Sequence, residues 1–170
     1  MTKTIAETVA YLNSLQAVTE DISRDEIELF VIPSFTALES ARKCIVEGSI
    51  RLGAQNMCWE EHGQFTGEIS PLMLQETGTE IIEIGHSERR HIFGETDEQI
   101  NKKVLSALTH AFTVLLCIGE SADQKEMNIS DESLAIQLKT GLNGINENDL
   151  DRIWVAYEPV WAIGTQGIPA

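Results

Sequence analysis

Five short apolar runs alternate with segments of helical character along the whole chain, and that alternation restricts the fold more than any other feature. The runs are IELFVIP (27–33), IRLGAQN (50–56), EIIEIGH (80–86), FTVLLCIGE (112–120) and RIWVAYE (152–158). Between them lie helical signals. Ile5, Val9, Leu12 and Leu15 recur three to four apart, a stripe on one helix face. Thr36 with Glu39 reads as a capping box, with Gly48 as the helix stop. Ser70 before Pro71 reads as an N-cap and first helical residue. Thr96 with Gln99 forms a second box, and Ser130 with Asp131 and Glu132 suits a further helix start. Strands that alternate with helices pair in parallel through right-handed crossovers. The runs are apolar almost throughout, as strands covered on both faces are.

Two α/β architectures satisfy that pattern: an open doubly wound sheet and a closed barrel of eight strand–helix units. The glycine-rich dinucleotide fingerprint and the P-loop are both absent. Polar residues instead follow the strands at their C-terminal ends, namely Asn56, His86, Glu120 and Glu158. Barrel active sites are built there, although open sheets bind ligands at the same end. No shift in composition marks a second domain, so residues 1–170 read as one domain.

Charge excludes several partners. The formal net charge is −15, which repels nucleic-acid backbones and anionic membrane surfaces. An anion site must then be local, made from backbone N–H groups or one placed cation. The three cysteines, Cys44, Cys58 and Cys117, are odd in number and far apart. They form neither a disulfide framework nor a zinc motif, and a reducing, cytoplasmic setting is expected. No apolar run approaches the ~18 residues of a membrane span.

Side chains alternate along a strand. Ile82, Ile84 and His86 would share one face and Glu83 and Gly85 the other, leaving Glu83 toward the helix layer. Trp154, Ala156 and Glu158 would likewise share a face. A single strand-end histidine, or a single glutamate before proline, is more often structural than catalytic. Together at neighbouring parallel strand ends they can transfer protons.

AQN, FTGEIS, IGHSERR, CIGE and AYEPVWAIGT occur in this order across the chain. The set resembles triosephosphate isomerase. The resemblance implies an α/β fold, a partial (β/α)8 (TIM) barrel covering about strands 2 to 6. It implies an aldose–ketose isomerase of glycolysis and gluconeogenesis that needs no cofactor and no metal. Glu158 matches the base and His86 a neutral imidazole that polarises the carbonyl as an enediolate forms. Ser87, Glu88 and Cys117 match supporting positions. Pro159, Val160, Trp161, Ala162, Ile163, Gly164 and Thr165 match a lid over the substrate phosphate, with Gly164 offering a backbone N–H. Gln64, Phe65, Thr66 and Gly67 match a loop that docks into a second subunit, so a homodimer is expected of the complete protein.

The same resemblance implies departures. The first strand, with its substrate-binding lysine, and the last two strand–helix units have no counterpart here, so the isolated chain is expected to be inactive. The lid continues as TQGIPA, and the loop NMCWEEHGQ carries a tryptophan and acids. Both leave a tetrulose phosphate open as an alternative substrate to dihydroxyacetone phosphate and glyceraldehyde 3-phosphate. A non-catalytic barrel fragment is the remaining reading.

Overall fold

The computed structural model describes residues 2–163, which divide into two compact units, one through Ile82 and one from Glu83. In the first unit, helix α1 (Ile5–Val18) opens on a capping box in which Thr4 accepts the Glu7 N–H and Glu7 returns a bond to the Thr4 backbone. Leu12 is its fully buried anchor. Strand β1 (Phe30–Val31) lies beside β2 (Arg51–Ala54), and β2 beside β3, which starts at Ile81 and runs to Ile84. Both pairings are parallel, with Phe30 opposite Arg51 and Gly53 opposite Ile81. Leu38, Leu52, Met57, Leu74, Ile81 and Ile82 form the core of this unit. Each such side chain contributes about 1.5–3 kcal/mol on burial.

Polar side chains fix the connections. Gln16 of α1 donates to the Cys44 carbonyl and accepts from the Val46 N–H and the Ser49 hydroxyl. The Arg24 guanidinium donates to the carbonyls of Ser49, Ile22 and Thr19 and to the Thr19 hydroxyl. These loops therefore spend their backbone acceptors on specific donors rather than on water.

Helix α2 (Leu38–Cys44) corrects two expectations. The chain reaches it through a 3-10 turn, Phe35–Ala37, so the N-cap position falls on Ala37 and has no side-chain cap. Thr36 bonds Ser34 instead, and Glu39 pairs with Lys43 one turn on. Gly48 does take a left-handed φ of 76°, but α2 has already ended at Cys44 and the glycine serves the following turn. Helix α3 (Pro71–Glu76) forms as expected, with the Ser70 hydroxyl accepting the Met73 N–H.

The second unit carries α4 (Ser87–His91), α5 (Asp97–Thr109), β4 (Thr113–Ile118), α6 (Ala122–Glu126), α7 (Ser130–Gly141) and β5 (Ile153–Tyr157). Strands β4 and β5 pair in parallel from Val114 opposite Ile153 to Ile118 opposite Tyr157. Thr96 and Gln99 form the expected reciprocal box on α5. Helix α6, with its own box from Ser121 and Gln124, stands out less in the apolar pattern because none of its residues is buried. Ile100, Val104, Phe112, Val114 and Leu116 make the core.

Inside that core sits a buried ion pair between Lys103 and Glu95, with Arg89 Nε 3.3 Å from the other Glu95 oxygen. Removing one partner of such a pair leaves an uncompensated charge, which costs about 3–5 kcal/mol. Glu95→Ala should therefore lower the urea midpoint by that amount of stability. Glu39→Ala, which breaks only the exposed Lys43 pair, should leave the midpoint nearly unchanged in the same titration.

Candidate active site

His86 and Glu158 both lie in the second unit, and each is delivered by a strand end. His86 follows β3 through Gly85 and caps α4: its Nδ1 accepts the Glu88 N–H at 3.2 Å. An acceptor at Nδ1 leaves the proton of a neutral imidazole on Nε2. Nε2 stands 3.6 Å from Glu158 Oε2. That is beyond hydrogen-bond length, so the two groups face each other without being locked together. Both stay partly open to solvent, with side-chain exposures of 25% and 35%. Glu158 is tied to β4 by its own N–H, which donates to the Ile118 carbonyl at 2.8 Å.

The supporting positions gather around this pair. Ser87 is buried, and its hydroxyl has no hydrogen-bond partner among the described residues. It shares a small cleft with Gly85, Arg90, Ile118, Gly119 and Glu158. The Glu88 carboxylate reaches within 3.9 Å of His86 Nδ1. Burial pushes the Cys117 thiol well above its usual range; Glu83 and Glu158 add to this and Arg90 offsets it. The thiol therefore stays protonated at neutral pH and acts as packing rather than as a nucleophile. Arg90, which the motif did not single out, donates to the carbonyls of Gly85 and Cys117 and joins the ends of β3 and β4.

Glu83 is half-buried on β3, two residues before the left-handed Gly85, whose φ is 78°. Burial raises its carboxyl above the usual range, nearby His86 lowers it, and Glu158 and Glu88 raise it further. A residue count across a left-handed glycine does not by itself assign His86 to the face of Ile82 and Ile84.

The lid segment starts as a 3-10 turn, Val160–Ala162. Its anchor is Glu120, which accepts from Trp161 Nε1 at 2.9 Å and from the Tyr157 hydroxyl at 3.1 Å. Lys125 sits over the Trp161 ring, 3.1 Å from its centroid. Burial of Glu120 works to raise its carboxyl, but hydrogen bonds from Trp161, its own backbone and Tyr157, with the Lys125 charge, outweigh this and hold it below the usual range. A lowered folded value means this anchorage is complete above the unfolded carboxylate pKa of about 4.3 and is lost as pH falls through the folded value. With Trp59 and Trp154 replaced by phenylalanine, Trp161 emission should be flat from neutral pH down to that range and change only below it. Glu120→Gln should remove the acid transition.

Gly164 and Thr165 lie outside the described residues, so the expected phosphate N–H and lid end are not placed. Asn56 is buried, and Gln64, Phe65, Thr66 and Gly67 are exposed; all five belong to the first unit. There Phe65 packs edge-on against Trp59, with ring centroids 5.9 Å apart. Among the described residues no helix is long and apolar enough to cross a membrane.

The family model described as triosephosphate isomerase matches residues 1–170. L-erythrulose-1-phosphate isomerase of Rhizobium etli is 45% identical over 172 residues, covering 100% of this chain and 64% of its own length. Triosephosphate isomerase of Thermoanaerobacter pseudethanolicus is 52% identical over 138 residues, covering 81% of this chain and 56% of its own. That of Aquifex aeolicus is 46% identical over 171 residues, covering 100% and 67% respectively. The chain thus spans less than two thirds of the first two relatives.

Proposed function

Because this chain belongs to the triosephosphate isomerase family, whose fold class makes its five parallel strands part of a (β/α)8 barrel, we propose that it supplies the proton-transfer centre of a sugar-phosphate isomerase. The observation that carries the reading is the His86–Glu158 pair at 3.6 Å, with Nδ1 of His86 already taken by the Glu88 N–H. A carboxylate and an imidazole N–H that converge without bonding each other can act on adjacent atoms of one substrate.

In that reaction the Glu158 carboxylate removes a proton from the carbon next to the substrate carbonyl. The C–H electron pair moves to form a C=C bond, and the carbonyl oxygen gains the negative charge. His86 Nε2–H donates to that oxygen and stabilises the enediolate. His86 Nε2 gives its proton to that oxygen and takes the proton of the neighbouring hydroxyl in exchange; Glu158, now protonated, returns its proton to the former carbonyl carbon, and the carbonyl reappears on the carbon that lost the hydroxyl proton. The lid segment 159–165 closes over the phosphate and excludes water, which protects the enediolate from losing phosphate. Loop 64–67 completes the active unit by docking into a second copy.

Dihydroxyacetone phosphate and glyceraldehyde 3-phosphate are the substrates of first choice. A tetrulose 1-phosphate is the second reading, favoured by one observation: a relative named for erythrulose 1-phosphate matches the chain over its whole length. The deciding experiment gives the full-length protein each substrate in parallel and compares kcat/KM. Turnover of the triose phosphates at least tenfold better than the tetrulose phosphate supports the first reading, and the reverse order installs the second. Turnover of neither, with an intact fold, removes the isomerase reading.

A further inference from the structure

Successive residues of a strand point their backbone N–H and C=O groups to opposite sides. At the end of β4 this places Ile118 and Glu120 toward the chain that follows β5. The Ile118 carbonyl accepts the Glu158 N–H at 2.8 Å, and the Glu120 carbonyl accepts the Val160 N–H at 3.0 Å. Gly119, between them, sends both of its polar groups the other way. A side chain answers them there. Gln137 of α7 donates from Nε2 to the Gly119 carbonyl at 3.0 Å and accepts the Gly119 N–H on Oε1 at 3.0 Å. The carboxamide thus makes the pair of bonds that a neighbouring strand residue would otherwise make.

The other flank of Gly119 touches the base. A Cβ on Gly119 would lie 1.9 Å from the Glu158 carbonyl oxygen and 2.7 Å from its carbonyl carbon. The two backbones are therefore in direct contact, and where the Gly119 peptide sits decides where Glu158 leaves its strand. We propose that Gln137 is a positioning residue for Glu158, acting through the Gly119 peptide that it holds by both ends. Its kinetic consequence rests on the isomerase reading; its structural consequence does not.

α7 offers a control. Asn101 of α5 also spans to α7, donating to the carbonyls of Gly141 and Asn143 at 3.0 and 2.8 Å, but it touches neither Gly119 nor Glu158. Gln137→Glu keeps an acceptor for the Gly119 N–H and, when ionised, loses the donor to the Gly119 carbonyl. When protonated it regains that donor. In the full-length protein Gln137→Glu should lower kcat by roughly tenfold to a hundredfold at neutral pH with KM within about twofold. The ratio of its kcat to that of the unsubstituted protein should rise as pH falls toward the carboxylate range of about 4.3. Asn101→Ala should lower the melting midpoint without a pH-dependent kcat defect.

Amide hydrogen exchange gives a readout that needs no turnover. Gly119 and Glu158 amides should be protected together in the unsubstituted protein, and both should lose protection in Gln137→Ala while Val114 on the same strand keeps it. Joint loss supports the assignment even if the protein turns over neither sugar phosphate, an outcome that removes only the isomerase reading. An unprotected Gly119 amide in the unsubstituted protein overturns the assignment without any variant. So does a Gln137→Glu protein whose kcat matches Asn101→Ala at every pH while the parent is active.

Discussion

On the proposed isomerase reading, Glu158→Gln in the full-length protein should lower kcat by about a thousandfold and leave KM within about threefold. Glutamine has the same shape and can still accept a hydrogen bond, but it cannot take a proton from carbon. The substitution therefore removes the chemistry and little else. Among the described residues Glu158 makes no hydrogen-bonded ion pair, since His86 Nε2 is 3.6 Å away, and its side chain is 35% exposed. Stability should change by less than about 0.5 kcal/mol, as for a surface substitution. His86→Ala is the companion measurement. It loses the N–H aimed at the developing oxyanion, which costs about a hundredfold to a thousandfold. The double variant should fall well short of the product of the two single effects, because base and oxyanion donor act on one transition state. A Glu158→Gln protein that keeps most of its activity would move the base elsewhere, and Glu83, whose carboxyl is perturbed by His86 and Glu158, would be the first residue to test.

The strands were legible because burial on both faces writes a continuous apolar run, and β2 to β5 fall where such runs occur. Capping was legible at Ser70 and at Thr96, where the hydroxyl meets the backbone N–H three residues on. The same spelling failed at Thr36. A 3-10 turn precedes α2, and a local Ser34 hydroxyl competes for the threonine. Period-two counting along β3 stops short of the histidine, because Gly85 in the left-handed region interrupts the pleat one residue before it. His86 and Glu158 themselves could be picked out as strand-end residues within a motif set. What positions them could not. The Gln137–Gly119 clamp joins residues 18 apart, and the bonds from Tyr157 and Trp161 to Glu120 span 37 and 41. No local pattern links such residues. The one signal present was Glu120 itself, a carboxylate ending an apolar strand.

On the same reading, Gly119→Ala in the full-length protein should lower kcat by about a hundredfold and destabilise it by about 1–3 kcal/mol, although it adds only one methyl group. The new Cβ would meet the Glu158 carbonyl oxygen at 1.9 Å, its carbonyl carbon at 2.7 Å and the Pro159 nitrogen at 3.4 Å. All three are backbone atoms, so no rotamer change relieves the contact, and the chain at 158–159 must move off β4. Its anchors resist that movement: Glu158 N–H is held by Ile118 and Val160 N–H by Glu120. Either those bonds lengthen, which costs stability, or the Glu158 carboxylate leaves its place opposite His86, which costs rate. Gly141→Ala separates this from a general intolerance of side chains. Its Cβ would meet Leu116 at 3.4 Å, an ordinary contact with a side chain that can adjust. Gly141 ends helix α7 without a left-handed φ, so alanine fits its backbone and loses less conformational freedom on folding than glycine. Gly141→Ala should therefore hold or raise the melting midpoint and leave kcat unchanged. If Gly119→Ala matched it in both respects, the end of β4 would not be what sets the reach of the base.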